Sequence, residues 1–103
     1  MPREDAVRHV TLSKTVTSDY CGTAWLKIYD GCRYFDVRIG GIWHGRVTLE
    51  VRKSEDHRKA VMCLGAFDGN ILDLFYLDSD SEARLWVRKS DLEDGEVTLE
   101  IGN

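Results

Sequence analysis

Two segments with the same alternating pattern constrain the fold of this chain most strongly. In the segment GRVTLEVRK (residues 45–53), the apolar residues Val47, Leu49 and Val51 alternate with polar ones, and GEVTLEI (95–101) repeats the pattern. A period of two places the apolar residues on one face of a β-strand and the polar residues on the other. Each segment begins with a glycine, which indicates a tight turn before the strand. We therefore predict two half-buried strands in one sheet that joins an early part of the chain to a late part.

Short alternating segments recur along the rest of the sequence. They predict about eight strands at intervals of roughly 8–12 residues, the spacing of an all-β, antiparallel β-sandwich or jelly roll. The dipeptide Asp30-Gly31 indicates a hairpin between two of these strands. No segment has a sustained helical period, and a short helical turn is an alternative only in residues 88–94. The predicted sandwich spans residues 10–103, and the charged, aperiodic residues 1–9 are expected to form an N-terminal arm.

Composition excludes several classes of function. The chain has 103 residues, enough for one domain with a single core. A formal net charge of −4 and a pI near 5.3 argue against nucleic-acid binding. No apolar stretch is long enough to span a membrane, and MPREDAVRH lacks the apolar region of a signal peptide. We therefore expect synthesis in the cytoplasm, with no membrane partner.

The cysteine count predicts the redox state. The three cysteines are odd in number and do not follow the spacing of a metal finger. Without a secretory signal, we expect free and mostly buried thiols.

No combination of residues predicts catalysis. His44 is isolated from any cysteine or carboxylate at metal-ligand spacing, as are His9 and His57. Ser54 and Asp56 share a turn with His57, but neighbours in one loop cannot hold a nucleophile, base and orienting group on rigid supports. We therefore predict a protein that is not an enzyme.

An acidic loop is the nearest approach to a metal site. Asp78, Asp80 and Glu82 alternate there, which would suit calcium, but the other ligands of an EF-hand are missing. A solvated turn is the favoured interpretation, and we predict neither a metal nor a cofactor.

The aromatic residues are the ambiguous feature. Trp25 and Tyr29 fall on the polar face of one predicted strand, and Trp86 lies between Arg84 and Arg88 on another. Three interpretations stay open: packing under the arginine stems, a protein interface, or a platform for sugar rings. The sugar platform would require Trp25, Tyr29 and Trp86 to form one flat exposed surface.

Several predicted strands are apolar on both faces, among them KAVMCL (59–64), where Ala60, Met62 and Leu64 alternate with Val61 and Cys63. In ILDLFYL (71–77), Leu72, Leu74 and Tyr76 alternate with a second apolar set. A strand of this kind must be covered on both sides. Either a loop or the arm covers the outer face, or another subunit does.

Two segments carry a resemblance to a known group of proteins. GIWHGRVTLEVRKS, from Gly41 to Ser54, and RLWVRKSDLEDGEVTLEIGN, from Arg84 to Asn103, resemble segments of small β-sandwich virion proteins of tailed bacteriophages. In those chains a glycine-hydrophobic-aromatic-x-Gly-x-Val-Thr-Leu stretch precedes a polar turn, and a Gly-x-Val-Thr-Leu-x-Ile-Gly strand follows a polar loop. The segment 54–67 departs from the pattern, because it lacks the Asp-Gly-Gly turn and the tryptophan that follows it.

The resemblance implies a non-enzymatic structural virion protein. Capsid decoration is the first expectation, and a tail or head–tail component is the second. A carbohydrate-binding module that uses exposed tryptophans is the alternative from another class. The expected partners are capsid or other virion proteins and further copies of the chain, with glycan as a less favoured ligand. The candidate partner-binding residues are Arg3, Arg8, Trp25, Tyr29, Leu72, Leu74, Tyr76 and Trp86.

The assigned strand faces make one expectation quantitative. Leu49→Ala, on the apolar face, should cost about 2–5 kcal/mol. Glu50→Ala, on the polar face, should cost less than about 1 kcal/mol.

Overall fold

The computed structural model describes residues 10–53 and 61–103, which form two packed β-sheets. No helix occurs in these residues. The strands are β1 (Thr11–Val16), β2 (Cys21–Gly22), β3 (Leu26–Ile28), β4 (Tyr34–Gly45), β5 (Val47–Lys53), β6 (Met62–Phe67), β7 (Ile71–Tyr76), β8 (Ser81–Val87) and β9 (Leu92–Gly102). The predicted arm, residues 1–9, lies outside the described residues, as does the predicted turn that holds Ser54, Asp56 and His57.

The strand order is that of a jelly roll. Sheet A has the order β1-β9-β4-β7, and sheet B has the order β2-β8-β5-β6, with β3 also paired to β8. Because β2 and β3 both pair with β8, they act as one interrupted strand. The eight resulting strands pair first with last, second with seventh, third with sixth and fourth with fifth, all antiparallel. This nested pairing, folded into two sheets, confirms the predicted sandwich or jelly roll.

The core lies between the two sheets and follows the predicted alternation. Phe35, Val37 and Ile39 of β4 are buried, while the residues between them are exposed. β9 likewise buries Val97, Leu99 and Ile101. Sheet B contributes the opposite side of the core, namely Leu26, Ile28, Val47, Leu49, Val51, Ala83, Leu85 and Val87.

The two segments with the repeated pattern do not share a sheet. β5 lies in sheet B and β9 in sheet A, so their apolar faces meet across the core. The predicted single sheet is therefore wrong for this pair, and β1 is the early strand that pairs with β9. Gly95 does not precede its strand either: it lies within β9, opposite Trp43, at a φ of 94°.

Two local predictions also need correction. Asp30-Gly31 does form a tight turn, closed by the Cys32 N–H donating to the Tyr29 carbonyl at 2.7 Å. The flanking strands then enter different sheets, so the turn is not a hairpin. The helical alternative at 88–94 is wrong, because a turn at Lys89–Ser90 leads directly into β9.

Strand β5 is buried on both faces. The predicted polar face is buried as well, because Thr48 and Glu50 lie in the middle of sheet B under long side chains of β8. Strand β5 pairs with β6 on one side and with β8 on the other. The premise that Glu50 is solvated is therefore wrong.

The cysteines are unpaired, as predicted. Cys21 and Cys32 are half-buried, whereas Cys63 is exposed on β6. The expectation of mostly buried thiols is therefore wrong for Cys63.

Candidate protein-interaction surface

An apolar strip covers the outer face of sheet A at its free edge. Leu72, Leu74 and Tyr76 of β7 have exposed fractions of 63%, 62% and 52%. Tyr34 of β4 extends the strip, since its ring lies 4.8 Å from that of Tyr76 between centroids. We call these four residues the apolar strip. Exposed apolar residues that adjoin one another in this way are typical of a surface that meets another molecule.

The alternation of β7 forces these side chains outward. Ile71 and Phe75 are half-buried and pack against the core. Phe75 stacks on Phe35 of β4 with 5.7 Å between ring centroids. Successive side chains of a strand point to opposite faces, so the intervening residues lie on the outside. The predicted second apolar face is confirmed, and no residue in the described part of the chain covers it.

The free edges of both sheets lie on the same side of the sandwich. β7 is the last strand of sheet A, and β6 is the last strand of sheet B. Phe67 of β6 packs edge-on against Phe75 of β7, with 6.2 Å between centroids. β6 also exposes Met62 and Leu64. The apolar surface therefore continues around this side of the molecule.

Both edges carry features that oppose the addition of another strand. Asp73 lies on the core-facing side of β7, opposite Val37, and its Oδ1 accepts the Leu74 N–H at 2.8 Å. The pairing register of β6 with β5 shifts between Leu49 and Glu50 of β5, which marks a bulge. Charged side chains on an edge strand and bulges are devices that protect such strands. On this side of the sandwich, the side-chain face rather than the backbone edge is thus the surface available for association.

Two opposite charges lie directly beside the strip. On β4, Asp36 is paired with Leu74 and Arg38 with Leu72. Both charged residues are exposed on the same outer face. The Arg38 guanidinium lies 3.8 Å from a carboxylate oxygen of Glu100, a long contact between two exposed groups.

The predicted aromatic residues of sheet B form a different structure. The Arg84 guanidinium carbon lies 3.7 Å from the ring centroid of Trp86 and 4.4 Å from that of Trp25. The Arg52 guanidinium carbon lies 4.1 Å from the Trp25 centroid. We call Arg52, Trp25, Arg84 and Trp86 the arginine–tryptophan ladder. Cation–π contacts of this kind hold both cations and rings in place.

Buried carboxylates fix the arginines of the ladder. Glu50 Oε1 accepts from Arg84 Nε at 2.8 Å, and its Oε2 accepts from Arg88 Nε at 2.8 Å. Glu82 accepts from Arg52 Nε at the same distance. Bonds between ionised groups are stronger than neutral ones, and a buried carboxylate requires such partners. The ladder and its carboxylates form one connected network on the outer face of sheet B.

The ladder differs from a flat sugar-binding platform. Trp25 and Trp86 are half-buried, and guanidinium groups occupy ring surface that a sugar would need. Tyr29 is exposed at the Asp30-Gly31 turn. Trp25 and Tyr29 share an open cleft of about 290 Å³ at one end of the sandwich. Of the three interpretations of the aromatics, the observed contacts match packing with the arginine side chains.

The candidate residues from the sequence therefore fall on two opposite faces. Leu72, Leu74 and Tyr76 meet in the apolar strip, whereas Trp25 and Trp86 meet in the ladder. Arg3 and Arg8 lie outside the described residues, and Tyr29 lies at the Asp30-Gly31 turn, beside the cleft that it shares with Trp25.

Sequence reasoning missed three residues of these surfaces. Tyr34 could have been found, because it adjoins Phe35 in the strand and therefore lies on the opposite, outer face. Asp73 interrupts an apolar run and so carried a signal. For Glu50 there was no sequence signal, since its burial depends on which strands flank β5.

Two carboxylates of the acidic loop pair with arginines. Asp80 pairs with Arg33 at 3.0 Å, and Glu82 pairs with Arg52. In residues 10–53 and 61–103, no group of three or more histidine, cysteine or carboxylate side chains is placed to hold a metal ion. Ser54, Asp56 and His57 lie in the segment that the structure does not describe.

His44 forms an exposed pair with Asp94. Their closest atoms, Nδ1 and Oδ1, are 2.9 Å apart across β4 and β9. The hydrogen bond to Asp94, and then the charge of that carboxylate, raise the pKa of His44 above its ordinary value. The imidazolium form is therefore favoured at this position.

Comparison of the chain with models of known protein families, with curated proteins and with solved structures finds no match. Among the described residues, no helix is long and apolar enough to cross a membrane.

Proposed function

We propose that this chain is a non-enzymatic structural protein that assembles with other protein chains through the apolar strip. The observation that carries the proposal is the exposure of Leu72 and Leu74, together with Tyr34 and Tyr76, on one face of a protected edge strand. Burial of apolar area is the main favourable term in most protein association. Tyrosines at one end of the strip supply the aromatic contacts that are enriched in protein interfaces.

In its narrower form, the proposal is that the protein is a virion component, first of all a capsid decoration protein. Two arguments support this form. The segments 41–54 and 84–103 resemble phage virion proteins, and jelly rolls are a common architecture of viral capsid domains. The same architecture also serves lectins, so the fold alone does not decide function. The arginine contacts on Trp25 and Trp86 favour the structural role over carbohydrate binding.

The proposal is tested by binding of the full chain to purified phage shells. Leu74→Asp places a charge in the middle of the apolar strip. Thr15→Asp is the matched control, because Thr15 is exposed on the outer face of the same sheet, on the opposite edge strand β1. We expect Leu74→Asp to abolish co-sedimentation with the shell and self-association, and Thr15→Asp to leave both unchanged.

Two results would contradict the proposal. One is a Leu74→Asp variant that co-sediments and associates as the unmodified chain does. The other is a protein that stays monomeric, binds no shell protein, and binds glycans in a manner that Trp86→Ala removes. The second result would identify a carbohydrate-binding module instead.

A further inference from the structure

We infer that the apolar strip and its two flanking charges form a self-complementary surface, and that its occupant is a second copy of this chain. The inference rests on the proposed function in so far as the strip is the surface of assembly. It goes further by naming one partner and one geometry.

The outer face of sheet A carries a regular pattern of exposed side chains beside the apolar strip. Two neighbouring rows are exposed: Asp36 beside Leu74, and Arg38 beside Leu72. One row carries a negative charge and the other a positive charge, and the apolar residue of each row is a leucine. A two-fold interface requires this property, because each patch must meet a copy of itself.

One two-fold axis brings each row opposite the complementary row of the second copy. The axis lies between two facing copies of sheet A and crosses the strands at the level of Val37, whose own side chain points into the core. Rotation about this axis places β4 of one copy opposite β4 of the second copy, with the two strands running in opposite directions. Asp36 then meets the second copy's Arg38, and Leu74 meets the second copy's Leu72. Aligned sheets pack about 10 Å apart, which lets these side chains touch.

The ends of the strip fit the same arrangement. The axis carries Tyr34 onto the position of Gly40 in the second copy. Gly40 is half-buried and presents no side chain, so a tyrosine ring can pack there. Pairing edge to edge is opposed by Asp73, an exposed carboxylate on the edge strand whose Oδ1 accepts the Leu74 N–H. The geometry therefore favours stacking of faces over extension of the sheet.

The Arg38 guanidinium is placed to contact a carboxylate of its own chain or one of the second copy. Its contact with Glu100 is 3.8 Å long and joins two exposed side chains. Pairs of this kind contribute little by themselves, so the guanidinium can turn toward an Asp36 carboxylate across the interface. Opposite charges across an interface also fix its register.

The test is a charge exchange followed by analytical ultracentrifugation of the full chain. Asp36→Arg alone places arginine against arginine, and Arg38→Asp alone places aspartate against aspartate. We expect each single variant to weaken self-association by about tenfold or more, because like charges meet. The double variant carries both changes and should associate as the unmodified chain does. An equimolar mixture of the two single variants should form mixed dimers.

Several outcomes would overturn the inference. They are a monomeric unmodified chain at millimolar concentration, single variants that associate normally, or a double variant that fails to recover. Circular dichroism checks that each variant is folded. If a single variant is unfolded, the self-association of the double variant alone decides whether the inference holds. A monomeric chain whose binding to a phage shell is still abolished by Leu74→Asp would overturn this inference while supporting the proposed function. Self-association that follows the charge pattern, without any shell binding, would support this inference and contradict the proposed function.

Discussion

Glu50→Ala is the substitution that most directly tests the network on sheet B. The side chain of Glu50 is 6% exposed, and its two carboxylate oxygens accept from Arg84 and Arg88. The Arg84 side chain is 20% exposed and lies between two tryptophan rings, whereas that of Arg88 is 45% exposed. Removal of the carboxylate leaves the Arg84 guanidinium in a partly buried site without its anionic partner.

The expected loss follows from these two bonds. A hydrogen bond to a charged group contributes about 1.5–3 kcal/mol, which applies to the bond with Arg84. The bond with Arg88 is solvent-screened and contributes about 0–1 kcal/mol. We therefore expect Glu50→Ala to lower the free energy of unfolding by about 1.5–4 kcal/mol. This is comparable to Leu49→Ala, for which a buried leucine predicts about 2–5 kcal/mol.

Urea denaturation at neutral pH measures these losses, because urea does not screen ion pairs as guanidinium salts do. Glu96→Ala is the control, since Glu96 is exposed on β9. This control should change stability by less than about 0.5 kcal/mol. Near-ultraviolet circular dichroism should also change in Glu50→Ala, because the ordered arginine lies against both tryptophans. A loss in Glu50→Ala no larger than that in Glu96→Ala would refute the assignment of a structural network.

Three other predictions concern thiols, protonation and the free edge. Thiol titration without reductant should find three reactive groups in the denatured protein, with the exposed Cys63 reacting first in the folded one; a single reactive group would reveal a disulfide. The pKa of His44 measured by NMR should lie above that of an unstructured histidine and fall in Asp94→Asn. While Asp94 is ionised, the stability that the pair contributes is present below the pKa of the unfolded histidine and is lost as pH rises through the raised pKa. An unchanged pKa in the variant would exclude the pair. Asp73→Val should promote concentration-dependent aggregation, because it frees the Leu74 amide and removes the charge from the edge strand; light scattering equal to that of the unmodified chain would contradict this role.

Periodicity in the sequence determined which residues face the core wherever a strand has one solvated face. β4 and β9 are strands of this kind, and their alternating residues are buried as the pattern predicts. The sequence also predicted that Leu72, Leu74 and Tyr76 share one apolar face of β7 and that a second apolar set lies on the other, because successive side chains of a strand point to opposite faces. These inferences needed only the period of a strand and the preference of apolar groups for burial.

Only the tertiary structure decided which strands are neighbours. The burial of Glu50 and Thr48 depends on β5 lying between β6 and β8, and no local pattern encodes that position. The repeated pattern of β5 and β9 likewise did not reveal that the two strands lie in different sheets. The ladder combines residues from three segments of the chain, and the row of Asp36 beside Leu74 exists only because β4 pairs with β7. Strand pairing joins residues far apart in the chain, so the chemistry of each face is set by register rather than by the sequence of either strand.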